Sequence, residues 1–473
     1  MSQKVLSEIL ALLENSISIE NGSVELLDEH KLRQNIHILA EISALEKGER
    51  QGMARYVTRM AALAFGTAPA SIHELYLARG RGQLPTSFTV PAINLRALTF
   101  EAARAVFRSA VAMNASAFIF EIARSEMGYT DQRPAEYVTS ILAAAIKEGY
   151  KGPVFIQGDH FQISAKRYSN DPDAEIQALR ELIEESIQAG FLNIDIDTST
   201  LVDLSKESIA EQQFLNSYLS AKLTAYVRSL EPQGVTISVG GEIGEVGGQN
   251  STEAELRAYM DGFKSELQAI SPGLTGISKI SIQTGTSHGG VVLPDGSIAQ
   301  VSVDFDTMLK LSRLARSEYG LGGAVQHGAS TLPEGAFGKF VEAEAVEIHL
   351  ATNFQNMLFD LVPANLRASM YAYLDEKYAG DRKPGMTDEQ FYYKTRKNAI
   401  GQFKSQTWGL GVDERAAIGK AWEAQFTKLF NLLGIRGSRD HVEQTIRPAA
   451  VTPAMSSYTG AEVEAGEVSD LAD

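Results

Sequence analysis

From about Ser87 the chain alternates short apolar runs with longer amphipathic stretches. Eight runs read as strands: FTVPAIN (88–94), AFIFEIA (117–123), VFIQGD (154–159), LNIDID (192–197), TISVGGE (236–242), KISIQT (279–284), GAVQH (323–327) and AVEIHL (345–350). Between most of them lie helix-period patterns such as FEAARAVFRSAVAM and AEIQALRELIEESIQAG, the latter closed by Gly190 as a C-cap. Near-continuous apolar strands separated by amphipathic helices are the pattern of a parallel sheet covered on its outer face. Eight such units predict an α/β fold of the TIM (β/α)8 type over residues 85–360.

The flanks have a different texture. Residues 31–66 carry apolar positions at helical spacing, so residues 1–84 are expected to form an N-terminal helical extension. Beyond Gln355, stretches such as DEQFYYKTRKNAIGQFKSQTW and DERAAIGKAWEAQFTKLFNLLGI each open on Asp-Glu, as helix starts often do. These predict a C-terminal helical extension over 361–450. The final stretch, 451–473, holds five acidic residues and no Lys or Arg, and is expected to be a disordered tail.

Composition narrows the chemistry. The 473 residues include no cysteine, which excludes disulfides, thiolate nucleophiles and Cys-ligated metals. A formal charge of −16 argues against a nucleic-acid binder but leaves room for a local phosphate site. No apolar run is long enough for a membrane span, and MSQKVLSEIL lacks a signal-peptide layout. The expectation is a cytoplasmic enzyme of small molecules.

Catalytic groups of such barrels gather where the strands end. Read at those positions, the sequence gives Asp159 and His160 after the third strand, Asp197 after the fourth and Glu242 after the fifth. His288 lies just past the sixth, His327 ends the seventh and His349 sits on the eighth. Four of the eight histidines therefore fall at one end of the predicted barrel. His160, His288 and His327 offer three nitrogens, a set suited to zinc with one position left open. TSHGG (286–290) and QHGAST (326–331) place Gly289, Gly328, Ala329 and Ser330 beside two of these histidines, where small residues let backbone N–H groups approach an anion.

The order and spacing of these segments resemble the class II, metal-dependent ketose-bisphosphate aldolases, over roughly residues 88–355. VPAINLRALTFEAARAVFRSA resembles the family's first βα unit with Asn94 in its strand, and GDH resembles its Asp-His motif. NIDIDTS, GGEIGEVGG, GTSHGG, QHGAST and VEIHLATNF are similar to its later motifs. The resemblance implies an aldolase that cleaves or forms a phosphorylated ketose through a zinc-stabilised enediolate of a dihydroxyacetone-phosphate-like product. It implies Asp159 as acid/base and His160, His288 and His327 as zinc ligands. Asp197 and Glu242 would serve a second or alternative divalent position, and a monovalent cation would sit near the phosphate loops. Asn94, Gly289, Gly328, Ala329, Ser330, His349 and Thr352 would contact the substrate. Family members are commonly dimers or tetramers, so a homo-oligomer is expected.

Three positions depart from the family pattern. Gln157 stands where a histidine usually precedes the catalytic Asp, His349 replaces an asparagine, and Glu347 replaces a lysine. Retained ligands beside altered substrate-side residues point to a changed substrate. A noncatalytic barrel subunit predicts lost ligands, and a zinc hydrolase predicts an early His-x-His, which QGDH lacks. The basic segment YYKTRKNAIGQFK (392–404) reads as an exposed helix face, with a phosphate clamp as its alternative.

Overall fold

The computed structural model of the protein describes residues 3–244, 249–285, 293 and 303–458. Its largest sheet has nine strands, eight of which close into a barrel. These eight are β1 (Val90–Asn94), β2 (Ile119–Ala123), β3 (Gly152–Gln162), β4 (Asn193–Asp197), β5 (Ser238–Glu242), β6 (Lys279–Ile282), β7 (Ala324–Gln326) and β8 (Glu347–Leu350). Every pairing is parallel, and β8 closes on β1 with Glu347 opposite Val90 and Leu350 opposite Ile93. This is the TIM barrel that the apolar runs predict. All residues of β1, β2 and β4 are buried, as a sheet with a packed interior and a coat of helices requires.

The ninth strand, Thr67–Ala70, pairs outside the ring with the first half of β3, Thr67 opposite Gly152 and Ala70 opposite Phe155. β4 pairs with β3 only from Gln157 onward, so the added strand takes backbone groups of β3 that the ring leaves open. Asn193 ties the two together. Its amide donates to the carbonyls of Ala70 and Ile156 at 3.1 and 3.0 Å, and its oxygen accepts from the Ile72 N–H at 2.8 Å.

The N-terminal extension is helical for most of its length but also contains a hairpin, Ile17–Glu20 with Ser23–Leu26. Its turn is Asn21-Gly22, both at positive φ (51° and 78°), the backbone that a two-residue hairpin demands. The C-terminal extension folds back onto the barrel. Its helix Val412–Leu432 packs on Thr99–Met113, with Trp422 buried and donating its indole N–H to the Phe354 carbonyl at 3.2 Å. A smaller core of Phe359, Met370, Leu374, Phe391, Ala399 and Ile400 holds residues 359–400 together. Within the stretch expected to be a disordered tail, Met455 and Tyr458 pack on the main core, and the Tyr458 ring lies 6.3 Å from that of Tyr56; residues 459–473 lie outside the described residues. Among the described residues, no helix is long and apolar enough to cross a membrane.

Candidate active site

The site starts from an irregularity in β3. Its register against β4 shifts between Gly158, opposite Ile194, and Phe161, opposite Ile196. Asp159 and His160 occupy the bulge, and His160 adopts the left-handed backbone at φ 40°. In a regular strand, consecutive side chains point to opposite faces; here both reach the same barrel end. Gly158 permits it, because a Cβ there would stand 2.4 Å from the Phe161 ring.

Around the bulge the predicted residues converge. His160 Nδ1 lies 3.2 Å from Asp197 Oδ2 and 3.5 Å from Glu242 Oε2. The His160 and His327 rings are 4.2 Å apart, and the His327 and His349 rings 3.9 Å. Asp159 Oδ1 stands 3.8 Å from His327 Nδ1 and 3.2 Å from His349 Nδ1. Asp197 is fixed by the Ser199 N–H and hydroxyl at 3.0 and 2.6 Å, and His327 Nε2 meets the Ser281 hydroxyl at 2.9 Å.

His160, Glu242 and His327 each place one donor atom so that all three lie within 4.8 Å of one another. Two imidazoles and a carboxylate fit zinc or a similar first-row divalent ion. The electrostatics agree. Burial alone would lower the His160 pKa, yet Asp159, the bond to Asp197, and Glu242 raise it to about 10. Burial, and then Asp197, push Glu242 up to about 8. A local surplus of carboxylate is drawing protons onto its neighbours, and a divalent cation would take their place. The expected third histidine, His288, and the neighbouring Gly289 lie outside the described residues.

The remaining predicted contacts are spread around the rim. Asn94 is buried at the end of β1 and donates to Glu126 Oε2 at 2.7 Å. Gly328 (φ 68°) opens the short turn Ala329–Thr331, whose Ser330 hydroxyl oxygen accepts from the Ala351 N–H; Thr352 begins the next helix and is buried.

A second charged cluster, which the motif reading did not assemble, lies on the other side of His349. Lys279 Nζ contacts Glu347 Oε1 at 2.5 Å, Asp195 Oδ2 at 2.9 Å and Gln157 Oε1 at 2.8 Å. Gln157 donates onward to Glu121 Oε2 at 3.1 Å and Glu347 Oε1 at 3.0 Å. Its amide both accepts and donates here, which gives the departure at this position a role. His349 bridges the clusters, with Nδ1 at 2.9 Å from Glu121 and Nε2 at 2.8 Å from Glu347, and Tyr76 donates its hydroxyl to Glu347 Oε2. Burial raises Glu347, but Lys279 and His349 more than offset it and hold its pKa near 2. Burial, with Asp159 next, lifts Glu121 to about 8. The signal in the sequence was a charged residue placed within a strand of the barrel, in FIFEIA, NIDID, KISI and VEIHL.

With this geometry in view, residues 85–407 match the model of the class II fructose-bisphosphate aldolase family. The chain belongs to that family. No curated protein matches the full sequence significantly. Among solved structures, the fructuronate-tagaturonate epimerase UxaE from Cohnella laeviribosi aligns with a TM-score of 0.55 at 12% identity, covering 92% of this chain and 100% of that one. The YdjI aldolase from Escherichia coli K12 aligns at TM-score 0.45 and 12% identity over 78% of this chain and 99% of its own. The fructose-bisphosphate aldolase from Campylobacter jejuni aligns at 0.42 and 16%, over 76% and 92%. At such identities the likeness is one of fold. For this member of the class II aldolase family, the epimerase alignment runs past the barrel into the helical flanks.

Proposed function

We propose that the protein is a zinc-dependent aldolase that cleaves and rejoins a phosphorylated ketose. The observation that carries this reading is the convergence of Asp159, His160, His327 and Glu242 at the carboxyl end of the barrel. His160 and His327, with His288, would hold the ion, and Glu242 and Asp197 would offer an alternative position. When bound, the metal supplies Lewis-acid polarisation of the ketose carbonyl and its neighbouring hydroxyl. Asp159 accepts the C4 hydroxyl proton as the C3–C4 bond breaks, and returns it on condensation. It is only 5% exposed and held between His327 and His349, so its position is set before substrate arrives. Ketose mono- and bisphosphates incubated with the zinc-loaded protein should release triose phosphate. No release from any of them, or full activity after chelation, refutes the reading.

A second reading, epimerisation of a ketose acid, is favoured by one feature. His349, backed by Glu121, places another proton-active group 3.2 Å from Asp159, which cleavage alone does not need. The epimerase fold match over 92% of the chain is in keeping with it. An inverted sugar without triose release would distinguish it.

A further inference from the structure

The basic segment of the C-terminal extension divides its charges in an uneven way. Arg396 stacks on Phe359 and Tyr393 and donates to Asn356, and Lys404 pairs with Glu136 at 2.8 Å, so both serve the fold. Lys394 is exposed. Lys397 instead sits over the ring of Tyr129, its Nζ 5.4 Å from the centroid. Tyr129 ends the short helix Arg124–Tyr129 that directly follows β2. The extension is pressed onto this point, since a Cβ on Gly401 would stand 2.7 Å from the Tyr129 carbonyl oxygen. The extension thus brings an ammonium group to the same end of the barrel as Asp159.

A second cation comes from the barrel itself. Arg96, just beyond β1, is 7% exposed; one of its nitrogens pairs with Glu126 at 2.5 Å and another lies 3.4 Å from Gln355. Its Nε and the Tyr129 hydroxyl are both buried with no hydrogen-bond partner. Arg96 acts electrostatically on Asp159 and on Lys397 alike. Both cations also feel the Glu126 carboxylate. Burial and then Arg96 lower the Lys397 ammonium to about 8, a repulsion that an anion would relieve.

We propose that Lys397 and Arg96, with the Tyr129 hydroxyl, form the subsite for the anionic terminus of the ketose, the end farther from the metal ligands, and that the group taken there is a phosphate or a carboxylate. This rests on the reading that a ketose occupies the barrel mouth beside Asp159. Asn94, which donates to Glu126 beside Arg96, is then a positioning residue. The subsite gives the C-terminal extension a function, because the barrel alone supplies only one of its two cations.

Fructose, fructose 6-phosphate and fructuronate differ at C6 alone and serve as probes. Their binding to the metal-loaded full chain is measured by calorimetry, and kcat and KM are measured separately wherever turnover occurs. Lys397→Met should weaken the two C6 anions roughly ten- to a hundredfold and leave fructose binding and metal content unchanged. Lys397→Arg should recover most of the loss. The anion that the wild type binds more tightly identifies the terminal group. Equal weakening of all three ligands, unchanged binding of both anions, or no binding of either anion by the wild type overturns the proposal. Lys397-dependent anion binding, with no triose phosphate released from any ketose mono- or bisphosphate, would leave the subsite standing and remove the aldolase reading. Cleavage with a Lys397-independent KM would do the reverse.

Discussion

On one side of His327 the barrel holds His160, Asp197 and Glu242; on the other, His349 stands among Glu121, Asp195 and Glu347. Both groups are buried, apart from the half-buried Glu242, and both are rich in carboxylate. They differ in the source of positive charge. The second contains Lys279, a cation fixed by its own strand and 1% exposed. Among the described residues, the first has no such lysine or arginine and relies on protonated imidazole or on an ion from solution. A tethered ammonium gives a permanent charge balance, whereas imidazole donors leave a place that a metal can enter. The first cluster is therefore suited to chemistry, and the second to holding His349 and the barrel end in position.

The comparison can be broken most sharply at Asp159, which faces both groups. Asp159→Asn should lower turnover by about two to four orders of magnitude while the protein keeps its metal. Wild-type rates would move the proton transfer elsewhere, and metal loss would make Asp159 a ligand. Next in size is Lys279→Met. Removing the tethered cation leaves Asp195 and Glu347 buried without it, at a cost of about 3–5 kcal/mol in urea denaturation. An unchanged midpoint would show that the second cluster balances its charge without Lys279.

A smaller effect concerns the support of that cluster. Tyr76, the donor to Glu347, rides on helix His73–Gly80, and His73 is 2% exposed with a pKa lowered to about 4 by burial and then by Arg228. The unfolded chain protonates this histidine near 6.5, before the folded one does. Stability from His73 is thus complete above pH 6.5 and falls as pH drops toward 4. From pH 7 to pH 5 the loss should be about 2 kcal/mol. His73→Gln should flatten that difference in urea midpoints, and an identical pH dependence would refute it. The smallest change expected is at the bridge. His349→Asn should retain metal and shift relative rates among ketose phosphates several-fold. Metal loss would transfer His349 to the first cluster, and unchanged ratios would deny it substrate contact.

The eight strands were legible because each is buried on both faces and so reads as a near-continuous apolar run. Asp159, His160, His327 and Glu242 were legible because barrel chemistry gathers at strand ends. The second cluster was not, because its members lie within strands and acquire meaning only when the ring closes. Glu121 is the clearest case. It follows Phe120, whose ring packs 5.1 Å from Phe107 on the helical coat, so alternation turns Glu121 inward. Glu121, Asp195, Lys279 and Glu347, three acidic and one basic, could have been paired from sequence. The hairpin at 17–26 was also readable, through alternating apolar residues around Asn-Gly, but a helical reading of the whole flank passed over it. The ninth strand is only four residues long, and nothing local marks it.

The bulge in β3 has a consequence for how this site can change over generations. Asp159 and His160 share a face because the strand carries more residues there than its neighbour pairs with. Most codon changes in this stretch would alter a side chain and leave that count intact. Loss of the Gly158 codon alone would restore even pleating and turn one of the two outward. Proton transfer and ion binding would then part company through an edit that removes neither residue. Descendants of this gene should therefore tolerate variation in residue type here far more readily than variation in strand length.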